Sequence, residues 1–467
     1  MPPFSFVLLA ILGFLGYKNR KDHKLMLRDF FIVTLLVSFT MNYGYFLKIG
    51  SFELAYDEFC TGVLFIVCIP YFIKGKYNHS MLSVCCVFLV SCIISLFCTT
   101  IVPFVPNGFL TPSQSWDEFV YGNISLNFTV TASIKMLLIP LRFVIFFFIL
   151  CVIKDVFTKE DWLHAFQKLL YVCKFLLLFS VIEFFTKNVL AFDYCTNLLD
   201  PIFGKGDFTA NTILVNRGDA LAPQGLFREP SHFTSFLFWL GFAWFIPIKQ
   251  DPTRESNYFW LATTATLLIF STSFAGILFF GCLLAFYLVY FYKTHKSSKA
   301  PFFIVLVSSL ALLMGLILFS PGLASYYLGR IKDTFHCISL LFTSNEVVLS
   351  SEFIRLLSIF KLSLIWIDRF FFGIGYGVTW GHSALIWMLA CGGIVGLYIW
   401  YVFIFKRFIP NHKKSLAELF LLIAAAFTQN LSLFYSFPVA TILFLLHKGA
   451  RQSTLPLSKT TTLYNPT

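Results

Sequence analysis

Apolar runs alternate with short polar connections along almost the whole chain. Their approximate extents are 4–17, 29–47, 59–73, 81–105, 129–153, 163–185, 232–248, 257–272, 274–292, 301–320, 383–405, 416–434 and 436–447. A helix that crosses the hydrocarbon of a bilayer needs about 20 mostly apolar residues. The pattern therefore predicts an all-α fold, a polytopic transmembrane helix bundle of about 12–13 helices. The first run, from Phe4 to Tyr17, has no basic region before it and no small-residue cleavage site after it. It is expected to remain as a helix rather than to act as a cleaved signal.

Two connections break the pattern of short linkers, 186–231 and 321–382. They divide the chain into an N-terminal transmembrane bundle (1–185), a first long loop (186–231), central helices (232–320), a second long loop (321–382) and C-terminal helices with a tail (383–467). Loops of this length are usually functional or disordered. The second contains an amphipathic stretch, Phe353–Trp366, expected to form a helix along the membrane face.

Orientation follows from the short loops, because cytoplasmic loops are enriched in Lys and Arg. Lys18, Arg20, Lys21, Lys24 and Arg28 mark the first loop as cytoplasmic; Lys74 and Lys76 mark a second. Lys293, Lys296 and Lys299, and then Lys406, Arg407, Lys413 and Lys414, mark two more. Glu53, Asp57 and Glu58, and Asp117 with Glu118, lie in the alternate loops. The N-terminus is then external, the C-terminus cytoplasmic, and both long loops external. Reporter fusions at Lys76, Lys296 and Lys413 should read as cytoplasmic, and fusions at Asp117, Phe208 and Asn345 as external. Two inversions in that set would undo the assignment.

Composition supports a lipid environment. The chain is 58% hydrophobic and 12% charged, against about 45–50% and about 25% in soluble domains. Its formal charge of +12 sits in short clusters between apolar runs, so it argues for membrane topology rather than nucleic-acid binding. Most of the 12 Cys fall inside apolar runs and read as small packing residues. Cys195 and Cys337 lie in the long loops, where a disulfide between them is one outcome. No CxxC pair or His/Cys cluster has metal-ligand spacing.

Candidate chemistry concentrates in the long loops. They hold nearly all the external positive charge, including Lys187, Arg217 and Arg228, then Arg330 and Arg355. Part of this is ordinary solvated charge; the sharper reading is an external site for a phosphate-bearing anion, which Arg binds with a planar fork. Lys135 and Arg142 lie in the fifth apolar run, where charge is costly and marks a functional candidate. Snorkelling explains Lys135 equally well, and an internal ion pair explains Arg142, with Glu183 as a possible partner.

The most informative segment is Gln224-Gly225-Leu226-Phe227-Arg228-Glu229-Pro230-Ser231-His232, which leads directly into an apolar run. Pro230 suits the first turn of a helix and Glu229 its positive end. This segment resembles the one that follows the large central loop in bacterial O-antigen polymerases of the Wzy type. A second stretch is similar to that polymerase and ligase superfamily: Gly373-Ile374-Gly375-Tyr376-Gly377, then His382-Ser383, then Gly392-Gly393-Ile394-Val395-Gly396. Taken singly, these read as a turn, a helix cap and a close helix contact. The resemblance covers roughly residues 210–400.

The resemblance implies a glycosyltransferase, and the lack of a DxD-like metal signature in the external loops favours a metal-independent reaction without cofactor. It would polymerise undecaprenyl-pyrophosphate-linked oligosaccharide repeat units at the periplasmic face of the bacterial inner membrane. Membrane lipid and a chain-length regulator are the implied partners, with no nucleic acid. Arg228, Glu229, Arg355 and His382 are the catalytic candidates, with Arg217, Arg330, Arg142 and Lys135 as anion-binding reserves. Tyr376 and Trp380 are candidate platforms for sugar faces. An O-antigen ligase fits the same Gly and His motifs, and a flippase or transporter is the non-enzymatic alternative.

Overall fold

The computed structural model describes residues 1–41, 43–50, 52–101, 135–190, 192, 194–204, 216–217, 220–227, 230–271, 274–294, 307, 314, 321–343, 351–376, 383–409 and 437–449. The chain is an all-α polytopic bundle. In order, the helices are α1 (Pro3–Lys18), α2 (His23–Thr40), α3 (Tyr56–Ile73), α4 (His79–Ile101), α5 (Lys135–Val156) and α6 (Lys159–Leu190). They continue as α7 (Asp200–Phe203), α8 (Pro230–Gln250), α9 (Glu255–Phe270), α10 (Phe274–Thr294), α11 (Pro321–Thr343), α12 (Ser351–Asp368), α13 (Ala384–Tyr401) and α14 (Phe437–Gly449). Two small antiparallel hairpins, β1 (Leu47–Ile49) with β2 (Phe52–Leu54) and β3 (Asn216–Arg217) with β4 (Ala220–Leu221), cap one end.

Among the described residues, seven helices are long and apolar enough to cross a membrane. The protein is a multi-pass membrane protein. The apolar runs 301–320 and 416–434 lie almost wholly outside the described residues, as do the loop positions Asp117, Phe208 and Asn345.

Helix ends follow local chemistry. The Asp22 carboxylate accepts the N–H groups of Lys24 and Leu25, so α2 begins well before the apolar run that marked it. Its charged first turns belong to one end of the bundle, where Lys24 meets Asp161 at 2.9 Å. At the other end, the Glu58 carboxylate accepts the Ala55 N–H at 3.1 Å and starts α3. Further contacts gather at each of these two ends. Lys154 donates to the Phe408 carbonyl and Asn78 N–H to the Cys151 carbonyl, at the Lys24 end. Tyr43 reaches Asp200, and Tyr56 the Phe203 carbonyl, at the Glu58 end.

Helix α8 is the centre of the bundle. Nearly every residue from Phe233 to Ile246 is buried, which is what an all-round apolar helix requires. It packs against α9, α10 and α14. Two of the polar side chains inside are paired across helices: Trp244 Nε1 donates to Thr264 Oγ1 and Tyr287 to the Gly241 carbonyl. Helix α14 also touches α2 and α6, and α13 packs on α4, so segments far apart in sequence form one interior. The buried thiols of Cys60, Cys68, Cys85, Cys151 and Cys173 fill it, as their positions in apolar runs predict.

Candidate functional site

Helix α6 runs to Leu190, several residues beyond the apolar run that marks it, and carries Glu183 and Lys187 on one face. Both are buried, at 0% and 2% exposure. They form an i,i+4 ion pair, the favoured orientation for Glu ahead of Lys. Lys187 is therefore no solvated loop charge, contrary to its assignment from sequence. Two buried charges are tolerable only with their remaining hydrogen-bonding capacity satisfied. The Glu183 carboxylate meets this by accepting the N–H groups of Gln224, at 3.1 Å, and Gly225, at 2.8 Å. Lys187 points its ammonium at the Ala222 carbonyl at 3.5 Å.

These contacts fix the 222–227 segment against α6. The turn closes with Phe227 N–H donating to the Gln224 carbonyl. Gly225 has φ +58°, and a Cβ there would press on Ser180 Oγ and the Phe233 ring. Only glycine fits easily. Phe227 stacks its ring among Phe233 and Phe236 of α8. Helix α8 starts at Pro230, as the sequence predicts. Arg228 and Glu229 themselves lie outside the described residues, between the anchored turn and the first residue of the central helix.

A second device lies in α13. At Gly393 the backbone leaves helical geometry, with φ 64° and ψ −171°. The helical hydrogen bonds lost there are replaced from the Arg369–Tyr376 turn. Ile374 and Gly375 donate their N–H groups to the carbonyls of Ala390 and Cys391, both at 2.9 Å. Ile394 and Val395 donate to the carbonyls of Phe370 and Phe371 at 2.9 and 3.2 Å. The turn thus plugs the break from both sides. Non-helical backbone at membrane depth is tolerated where protein buries it in this way. Thr99 of α4 donates to the Ile374 carbonyl and ties the plug to a third helix.

This arrangement corrects the reading of Tyr376 as a sugar platform. Its ring is 2% exposed and packs against Phe88, Phe143 and Trp387. Its hydroxyl lies over Gly392 and Gly396, where any Cβ would collide with it. The two glycine clusters that read separately as a turn and a helix contact are one packed unit.

Arg142 also has a different partner from the one predicted. It forms an ion pair with Glu58 at the start of α3, while Glu183 is committed to Lys187. Arg142 stands early in α5 and 61% of its side chain is exposed, so it lies toward the Glu58 end rather than at mid-helix. Arg330 of α11 donates from Nε to the Tyr326 hydroxyl at 2.8 Å, with its guanidinium 5.2 Å from that ring. The backbones of Lys135, Arg217 and Arg355 lie in α5, β3 and α12, but their side chains are outside those described, as is that of Cys195. Trp380 and His382 are likewise outside the described residues; Ser383 caps α13 by accepting the Ile386 N–H. The amphipathic stretch in the second long loop is helical, as α12, and packs between α11 and α13.

Comparison with protein-family models, with curated proteins and with solved structures returns no match to this chain. The functional reading therefore rests on the site and on the sequence motifs.

The Glu183–Lys187 pairing is a feature that sequence reasoning missed. Its signal was available as Glu and Lys four apart at the end of a long apolar helix. The boundary drawn at residue 185 separated them.

Proposed function

We propose that the protein is a glycosyltransferase that joins polyprenyl-pyrophosphate-linked oligosaccharide repeat units at the periplasmic face of a bacterial inner membrane. The observation that carries this reading is the buried Glu183–Lys187 pair clamped onto Gln224 and Gly225. A costly buried pair spent on one turn is reasonable if the residues after that turn need a fixed position. Those residues are Arg228 and Glu229, at the mouth of the central helix.

In the proposed reaction an acceptor sugar hydroxyl attacks the anomeric carbon of the donor chain. A bond forms from the acceptor oxygen to that carbon, and the bond to the pyrophosphate oxygen breaks. Arg228 and Arg355 stabilise the charge that builds on the departing pyrophosphate. Glu229 or His382 takes the hydroxyl proton. The apolar bundle gives the prenyl tail a route between helices.

Deleting the gene should leave lipopolysaccharide with core plus a single repeat unit on a gel. Arg228→Lys and Arg355→Lys should each do the same at normal protein level, because Lys lacks the bidentate fork. A loss of about 2–4 kcal/mol in the transition state suffices to collapse long chains. Unchanged ladders in both Lys variants would remove the two-arginine clamp. The broken helix at Gly393 favours a second reading, a flippase or transporter, since such proteins build sites at discontinuous helices. Bare core in the deletion strain would support that reading or a ligase.

A further inference from the structure

The end of the bundle opposite the 222–227 turn holds a cavity of about 480 Å³, lined by His23, Lys24, Pro70, Tyr71, Lys74, Lys76, Asp155 and Val156. Three separate connections converge on it: the start of α2, the end of α3 with the turn that follows, and the end of α5. A bias of Lys toward one set of loops explains why basic residues occur at this end. It does not require them to surround a common space.

The turn that presents the lysines is firmly built. Lys74 and Gly75 donate their N–H groups to the carbonyls of Pro70 and Phe72, and Lys76 donates to Tyr71. The next residues are tied down by Phe72 stacking on Tyr77 and by Asn78 N–H on the Cys151 carbonyl. Lys74 gains from the negative end of α3. Lys76, beyond the helix, has no such reason to be there. Among the described residues neither lysine has a carboxylate within ion-pair reach, whereas Lys24 is engaged by Asp161 at 2.9 Å. Among the described lining residues Asp155 is the one acidic group.

The lining joins apolar to basic surface: Tyr71 is buried, whereas Pro70, Lys74 and Lys76 are exposed. On the same helix Ile66 and Ile73, seven residues apart, are 64% and 77% exposed and lie on one apolar face. Immediately after that stripe come the ammonium groups of Lys74 and Lys76. Apolar surface passing into a basic pocket at a helix end matches a lipid whose chains lie along the stripe and whose head carries a phosphate.

We propose that this cavity is a phosphate-binding site for the headgroup of an anionic phospholipid, held by Lys74 and Lys76. The site is separate from the proposed reaction centre, and its test does not depend on that reading. The full-length protein, purified in detergent, would be titrated with phosphatidylglycerol and with phosphatidylethanolamine and retained lipid counted by native mass spectrometry. Phosphatidylglycerol should be preferred, and Lys74→Gln/Lys76→Gln should weaken its retention about tenfold or more, since each basic group near such a surface contributes on the order of a kcal/mol. Asp155→Asn removes the opposing charge and should strengthen retention. Lys48→Gln, at the other end of the molecule, should change nothing. Inorganic phosphate identifies the source of the anion: displacement of lipid by phosphate marks a site for small anions in general, and its failure to compete marks a headgroup that needs its chains. Equal retention of the two lipids, or retention unmoved in both the double Lys variant and Asp155→Asn, would overturn the proposal. A double variant that fails to fold leaves the Asp155→Asn arm to decide.

Discussion

Glu183→Ala should lower stability by about 3–5 kcal/mol, because removing one partner of a buried ion pair leaves the other charge uncompensated. The variant strands the Lys187 ammonium at 2% exposure and deprives the N–H groups of Gln224 and Gly225 of their acceptor. Thermal melting of the protein in detergent, followed by intrinsic fluorescence, should show the loss directly. Lys187→Met should be similarly damaging, since it leaves a buried carboxylate. The double variant Glu183→Leu/Lys187→Met should be more stable than either single one, because an apolar pair removes both charges together. Recovery should stay incomplete: two buried N–H groups still lack a partner, at roughly 1–3 kcal/mol each. A melting temperature for Glu183→Ala equal to the parent's would mean that the pair does not anchor the turn.

Gly393→Ala is the second large expected effect. With φ 64° and ψ −171°, this residue occupies a backbone region essentially reserved for glycine, at a cost of order 1–3 kcal/mol for other residues. Space closes the same position independently. A Cβ there would collide with the Phe371 carbonyl and the Phe372 N–H, both backbone atoms of the plugging turn. The turn must then withdraw, breaking the bonds from Ile394 and Val395 to Phe370 and Phe371. With net losses of about 1 kcal/mol per bond added to the backbone term, the total reaches at least about 3 kcal/mol. Cleavage by protease near residues 369–376 should accelerate in parallel with the fall in melting temperature. Gly396→Ala, which meets only the Tyr376 hydroxyl, should be milder because a side chain yields more easily than backbone. Equal tolerance of Gly393→Ala and Gly396→Ala would contradict the plugged break.

How much of this was legible beforehand depends on the range of the interaction concerned. Spanning helices announce themselves through about 20 apolar residues in a row, a local requirement of the bilayer. Hence α3, α4, α5, α8 and α10 fall close to their apolar runs. Ends were less legible where a charged turn is still helical. His23 to Arg28 belongs to α2 because Asp22 caps it and Asp161 receives Lys24, and only the second of these facts is tertiary.

The site was legible in parts. The start of α8 at Pro230 followed from the missing N–H of proline and the acidic residue before it. Glu183 was noticed but given to Arg142; both are charges in apolar surroundings, and sequence alone does not say which ends of which helices meet. Glu58 has that role because α3 and α5 pack side by side with their starts at one end of the bundle. The pairing of Gly373–Gly375 with Gly392–Gly393 needs the chain to double back across a broken helix, so each cluster alone read as a commonplace turn or contact. Tyr376 misled for the same reason: an aromatic in a glycine-rich loop reads as exposed until the loop is found inside the bundle.

The claim that most needs a direct test is that this protein itself forms the glycosidic bond between lipid-linked repeat units. Purified protein in lipid nanodiscs, supplied with undecaprenyl-pyrophosphate-linked repeat units extracted from the deletion strain, should build a ladder of products of increasing length. Release of undecaprenyl pyrophosphate should match each bond formed, and the Arg228→Lys protein should yield neither ladder nor release. Unaltered repeat units after incubation with well-folded parent protein, or a ladder of equal length from Arg228→Lys, would contradict it.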